Sequence, residues 1–203
     1  MSKRVSERLK NKAKRCAEKE MSTVSARGEQ PGTNARSNSV ILREVTQETN
    51  PNLQTLIESV FPNMFHENLF DIAYKMGELV REAYIDDQLA GFILCELENR
   101  VVYVTLIGVR VECRRQGVGS ALIQHAISFG RALKKDIQLH VQVGNTTAQQ
   151  FYQHHGFIET ERDETYYDDP PKAAFVYTKN SANKPMMKRP TREKYTECYF
   201  LVL

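Results

Sequence analysis

The sequence predicts an α/β fold: a mixed, mostly antiparallel sheet of about seven strands with four flanking helices. Three observations predict it. Residues 101–111 form an almost continuous apolar and β-branched run, which suits a strand covered on both faces. A glycine-bearing turn at 114–119 follows at once, and Ala121, Leu122, Ile123, Ala126 and Ile127 then repeat at helical spacing. Shorter alternating runs, separated by turn residues, stand on either side of this unit.

Taken in order, residues 1–38 form a basic arm with too few recurring apolar residues to bury a face, so disorder is expected there. Residues 39–46 read as the first strand. Asn50-Pro51 reads as a helix start, a cap followed by a proline tolerated in the first turn, with Leu53, Leu56, Ile57 and Val60 as the inward stripe. The Phe61-Pro62-Asn63-Met64-Phe65 stretch breaks that helix, and a second helix is expected to end near Met76. Residues 79–84 and 89–97 alternate as two strands around an Asp86-Asp87 turn. The central strand and the helix 119–133 come next, then a strand at 137–143. Asn145 or Thr146 caps a short helix to His154, closed by Gly156. A hairpin, 158–167 and 173–178, completes a domain spanning 39–178 and leaves a basic tail at 179–203.

Charge divides along the same lines. Residues 1–40 carry 10 Lys or Arg against 4 Asp or Glu, residues 41–178 carry 12 against 19, and residues 179–203 carry 6 against 2. An acidic body argues against a specific nucleic-acid-binding core and leaves the basic ends able to touch RNA, a ribosome or an acidic partner. No run approaches a membrane span, and the first residues are charged where a signal peptide is apolar, so cytoplasmic or nuclear residence is expected. Cys16, Cys95, Cys113 and Cys198 show neither disulfide nor metal spacing, and no metal is expected.

The turn after the central strand carries the first chemical hint. It leaves the first amides of a helix unpaired at the positive end of the helix dipole, a seat for a phosphate. Gly117 and Gly119 let the anion approach, and Arg114 and Arg115 add charge. Taken alone, Gly-x-Gly is equally an ordinary turn between two solvated arginines. It lacks the third glycine of a dinucleotide fingerprint and the lysine of a P-loop.

Arg114-x-x-Gly117-x-Gly119 after a hydrophobic strand resembles the acetyl-CoA pyrophosphate loop of the GCN5-related N-acetyltransferase (GNAT) superfamily. Residues 139–157, with a strand, Asn145, Tyr152 and Gly156-Phe157, resemble that superfamily's last cofactor-contacting segment. Finer details resemble the San or NatE catalytic-subunit type of protein N-terminal acetyltransferase: Val60-Phe61-Pro62, Gly77-Glu78-Leu79, Tyr103, Leu139-His140-Val141-Gln142 and Tyr166-Tyr167.

The resemblance implies a sheet splayed between its fourth and fifth strands, with acetyl-CoA held there as cosubstrate. It implies carbonyl-polarising amides at Ile107, Gly108 and Val109, and the pyrophosphate on Arg114, Arg115, Gln116, Gly117, Val118, Gly119 and Ser120. Further cofactor contacts fall at Asn145 and Tyr152. Tyr103 and His140 are the implied proton acceptors, acting through an ordered water, and Tyr152 the implied proton donor to the leaving thiolate. By their apolar flanks alone, the surroundings of His140 equally suit a core histidine. Phe61, Pro62, Asn63, Phe65, Tyr103, Tyr166 and Tyr167 are the implied peptide slot, which in this family takes Met followed by a hydrophobic residue. Asn63 and Phe65 depart from the family's valine and tyrosine there.

An α-amino group, with a pKa of roughly 7.7 to 8.0, needs less base assistance than a lysine near 10.4. The reaction that the resemblance implies, and that this contrast suits, is direct acetyl transfer to the N-terminal amine of nascent or free proteins. Two alternatives stand beside it: a weakly active CoA-binding subunit docked on a NatA-type complex or the ribosome, and a lysine or small-amine acetyltransferase.

Overall fold

The structure, a computed structural model, describes residues 39–61, 77–168 and 171–181. The expected disordered arm 1–38, most of the basic tail and the helix expected to end near Met76 lie outside these residues. Chain order is β1 (Ile41–Glu44), α1 (Asn50–Val60), a 3-10 turn Gly77–Leu79, β2 (Val80–Ile85), β3 (Gln88–Leu97), β4 (Val101–Val109) and a 3-10 turn Val111–Cys113. Then come α2 (Val118–Leu133), β5 (Asp136–Gln142), α3 (Thr146–His154), β6 (Ile158–Asp168) and β7 (Pro171–Lys179).

Local chemistry explains the boundaries. The expected strand at 39–46 shortens to four residues because Thr46 and Thr49 fold into a turn, the Thr46 amide donating to Thr49 Oγ1 (3.0 Å) and the Thr49 amide to Thr46 Oγ1 (3.2 Å). That turn makes Thr49 the cap of α1 and puts Asn50 inside the helix, one position beyond the sequence expectation. Asp86 and Asp87 both adopt left-handed backbone (φ 48° and 59°), the two-residue turn whose twist matches a hairpin. Helix α2 begins at Val118 rather than Gly119, because Gly117 at φ 85° ends the preceding turn. Lys134 (φ 56°) ends α2, and Lys135 N–H returns to the carbonyl of Gly130 at 2.9 Å.

The seven strands form one sheet in the order β1-β2-β3-β4-β5-β7-β6. All neighbours run antiparallel except β4 and β5. That parallel ladder spans Val101↔Asp136, Val102↔Ile137 and Tyr103↔Gln138, although both strands continue past it. Beyond Tyr103 the two strands part, as the splay expected of the fourth and fifth strands requires.

Two cores clasp the sheet. One gathers Val102, Val104, Ile107 and Val109 with Leu139 and Val141 under Leu122, Ile123 and Ala126 of α2 and Ala148 and Tyr152 of α3. The other packs Leu53, Leu56 and Ile57 of α1 with Phe61 over Phe92, Leu94 and Leu106. A bulge in β4 reconciles the faces: Leu94 pairs with Leu106 but Cys95 with Val104, so Thr105 is the extra residue. Before it, even-numbered side chains face α2; after it, odd-numbered ones do. The all-apolar run concealed that switch.

Close approach of α2 to the sheet depends on Gly91. A Cβ there would stand 2.8 Å from both the Gly108 carbonyl oxygen and Val118 Cγ1. Gly91→Ala should therefore cost about 1–3 kcal/mol by overpacking, read as a lowered urea midpoint. A second test concerns Glu82, fully buried on β2, whose Oε2 accepts from the Tyr84 hydroxyl at 3.0 Å. Burial outweighs that bond and raises its pKa. A carboxyl raised in the folded state binds more protons than in the unfolded one, so stability falls as pH climbs from the unfolded value, roughly 4.3, through the folded one. Urea melts at several pH values should show Glu82→Gln losing that slope and gaining stability over the native chain at neutral pH.

Candidate active site

Strand alternation places Tyr103 and His140 on the face away from α2, because Val102 and Val104, and Leu139 and Val141, face α2. Both side chains are buried, and they stand where the β4–β5 ladder stops. Tyr103 Oη lies 2.8 Å from His140 Nδ1 and 2.8 Å from the Tyr166 hydroxyl. Tyr166 comes from the far end of β6 and stacks on the imidazole, centroids 3.9 Å apart and planes 9° from parallel.

A distortion of β6 carries Tyr166 there. Asp163 pairs with Ala174 but Tyr167 with Lys172, so β6 holds two extra residues in this stretch. Asp163 Oδ1 accepts from the Thr165 amide at 2.9 Å and closes the bulge. Three strands thus supply one hydrogen-bonded chain, Tyr166–Tyr103–His140, with Tyr166 its half-exposed end. A phenol hydroxyl owns one proton and two acceptor lone pairs, so Tyr103 donates in at most one of its two bonds and accepts in the other or in both. The three groups are therefore connected as a proton relay requires, each within hydrogen-bond distance of the next. Tyr103 and His140 are thus in direct contact.

The anion turn sits at the other end of the splay. Gly117 caps α2 in left-handed conformation with nothing within 4 Å of an added Cβ, and the helix start leaves the Val118, Gly119 and Ser120 amides without intrahelical acceptors. Arg115, at φ 63°, turns the chain just before it. Arg114 Nε donates to the Val109 carbonyl (3.3 Å) and Gln116 Nε2 to that of Glu112 (2.9 Å), bracing the turn from within. These residues fit a diphosphate, and the parting strands fit an extended amide-bearing arm. Ile107 and Val109 give their side chains to the α2 core, leaving backbone alone for such an arm. Gly108 has no room for a Cβ, 2.7 Å from Phe92 Cε1.

Other sequence-predicted residues fall elsewhere. Tyr152 lies in the α2–α3 core, on the opposite face from Tyr103 and His140, its ring edge-on to Phe157 at 5.5 Å. Asn145 caps α3, its Oδ1 accepting from the Ala148 amide at 3.1 Å. Phe61 is a core residue, edge-on to Phe92 at 6.1 Å, and so anchors the start of the expected slot wall without lining it openly. Pro62, Asn63 and Phe65 lie outside the described residues. Tyr167 pairs with Lys172 through its backbone. Cys95 and Cys113 are free thiols whose pKa values burial pushes up. Among the described residues no cluster of three His, Cys, Asp or Glu side chains is arranged for a metal, and no helix is long and apolar enough to cross a membrane. His155, the residue that closes α3, lies beside Ser120 with Nε2 3.2 Å from its Oγ. The one sequence signal for this was Gly156, which turns the chain immediately after it.

A sheet opened between two parallel strands, with a glycine turn and helix start at the opening, defines a class. The chain belongs to the acetyltransferase (GNAT) family, whose description matches residues 43–157, and is thereby an acetyl-CoA-dependent N-acetyltransferase. It is similar to the probable N-acetyltransferase san of Drosophila melanogaster, 31% identical over 138 residues, covering 64% of this chain and 73% of that one. It is similar also to N-alpha-acetyltransferase 50 of Danio rerio, 29% identical over 62% of this chain and 79% of the relative. Among solved structures, Arabidopsis thaliana Naa50 in complex with the bisubstrate analogue CoA-Ac-MVNAL superposes with a TM-score of 0.64. It is 31% identical, covering 70% of this chain and 99% of that one.

The hydrogen-bonded chain makes a spectroscopic prediction. Tyr103→Phe deletes the group facing His140 Nδ1, so the imidazole should change its tautomer ratio in nitrogen NMR, whereas Tyr177→Phe, in the core beneath α2 and α3 on the opposite face, should leave it unchanged.

Proposed function

We propose that this chain acetylates the free N-terminal amine of proteins by direct transfer within a ternary complex. The observation that carries this reading is the Tyr166–Tyr103–His140 chain at the closed end of the β4–β5 opening. Acetyl-CoA supplies an activated acetyl thioester. The residues that would hold it are the 114–120 turn and the unpaired edges of β4 and β5.

The protein's own task is to orient a neutral amine and remove its proton. An α-amine is partly neutral near pH 7, so a weak acceptor suffices. Tyr103 Oη is that acceptor, and its proton passes to His140 Nδ1 across 2.8 Å. Tyr166 places a second hydroxyl at the half-exposed end, where it can hold a peptide backbone group. Similarity to an enzyme solved with a Met-Val-Asn-Ala-Leu analogue supports Met followed by a hydrophobic residue as the preferred start. The basic segments 1–40 and 179–203 favour docking on an acidic partner, such as a NatA-type complex or the ribosome.

Purified protein, acetyl-CoA and a library of short peptides, with CoA release and mass spectrometry as readouts, test this reading. Free N-termini should be acetylated. Tyr103→Phe should lower kcat by about 10²–10⁴-fold, and adding His140→Ala should cost little more, since the two act as one unit. Equal rates on N-blocked, lysine-bearing peptides would overturn the N-terminal assignment.

A further inference from the structure

The contact between His155 and Ser120 is built from three elements, α3, β7 and α2. Helix α3 ends at His154, the His155 amide returns to the Phe151 carbonyl (3.2 Å), and the Gly156 amide returns to Gln153 (2.9 Å). Lys179 at the end of β7 donates from Nζ to the His155 carbonyl at 2.6 Å. Gly156 permits this: at φ 77° any side chain is strained, and a Cβ there would stand 2.7 Å from Lys179 Nζ. The imidazole, locked through its own backbone, then leans edge-on against Phe151 (4.6 Å, 61°) and presents Nε2 to Ser120 Oγ, the last residue of the anion turn.

Electrostatics make this cluster uneasy when empty. The groups facing the imidazole are Lys179 from β7, His154 at the end of its own helix and the Ser120 hydroxyl from α2. Burial first, then His154 and Lys179, hold the His155 pKa below the ordinary histidine value. Three basic groups therefore converge beside a helix N-terminus, itself a positive pole, and an anion at that terminus relieves the repulsion.

We propose that His155 is a positioning residue of the cofactor's diphosphate site, aiming the Ser120 hydroxyl at the anion and taking up one proton from solvent when the anion binds. This rests on the acetyl-CoA reading given above. Once protonated, Nε2 can only donate, so Ser120 Oγ accepts from it and must send its own proton elsewhere, toward the phosphate oxygens. The sign of the linkage follows. Because the bound anion raises the imidazole pKa above its free value, affinity rises as pH falls through the bound-state pKa and levels off below the free-state one.

Dephospho-CoA is the probe of choice, since it keeps the diphosphate and lacks the 3′-phosphate, which titrates near neutrality. Isothermal titration at about pH 6 and pH 8, in two buffers of different ionisation enthalpy, reads affinity and proton uptake together. The native chain should bind more tightly at the lower pH, by roughly tenfold per unit of pKa rise, with measurable proton uptake. His155→Gln keeps an amide N–H for Ser120 but cannot titrate, so its profile should be flat and its proton uptake absent. Independently of any variant, histidine NMR titrations of the native chain should show the His155 pKa rising on adding the probe. An equal pH profile in native and His155→Gln proteins, or an unmoved His155 resonance, overturns the proposal and leaves the cofactor reading standing. No binding of either CoA or dephospho-CoA by the native chain overturns both.

Discussion

Parallel strands lying side by side normally continue their ladder to the end of the shorter one, because a backbone amide denied its partner costs free energy. Here the β4–β5 ladder stops at Tyr103↔Gln138 while both strands run on. Each strand is held on its other side, β4 by β3 and β5 by β7, so the opening persists without collapsing. What remains is a slot across which the backbone groups of β4 and β5 do not pair with each other, an edge suited to an extended, amide-bearing ligand. Every other feature of the site is arranged around that slot: the hydrogen-bonded side chains at its closed end and the anion turn at its open one.

The closed end depends on two irregularities. The bulge at Thr105 switches the faces of β4, so that Val104 and Ile107 both join the α2 core while Tyr103 and Leu106 both face away from it. The longer bulge in β6, closed by Asp163, aims Tyr166 across β7 at an imidazole two strands away. Regular strands would have offered neither. Bulges thus do for the side chains what the splay does for the backbone: they break the sheet's periodicity where chemistry needs several groups at one point.

The open end depends on tight packing. Gly91 brings the start of α2 onto the sheet, and Gly117 finishes the turn before it, so the helix's unpaired amides face outward at a fixed place. His155 is tied to that place from behind by Lys179 and Phe151. Opposite ends of the slot therefore carry different groups, hydrogen-bonded tyrosine and histidine side chains at one and a glycine turn, helix N-terminus and basic side chains at the other.

Much of this was legible in the residues themselves. Hydrophobic pattern located the strands and the two longer helices, by alternation or helical spacing where one face is buried and by a continuous apolar run in β4, and the Asp86-Asp87 pair announced its own turn. The anion turn was legible too, because glycine before a helical repeat is a local signal. Side-chain meetings were not. Tyr103 and His140 are 37 positions apart, Tyr103 and Tyr166 are 63, and Ser120 and His155 are 35. A resemblance named the first pair as partners, but the direct contact between them, the stacking of Tyr166 and the whole of the His155 cluster came from the tertiary structure. The physical reason is that local sequence governs backbone conformation, whereas distances between side chains are decided by strand order, bulges and packing summed over the whole chain.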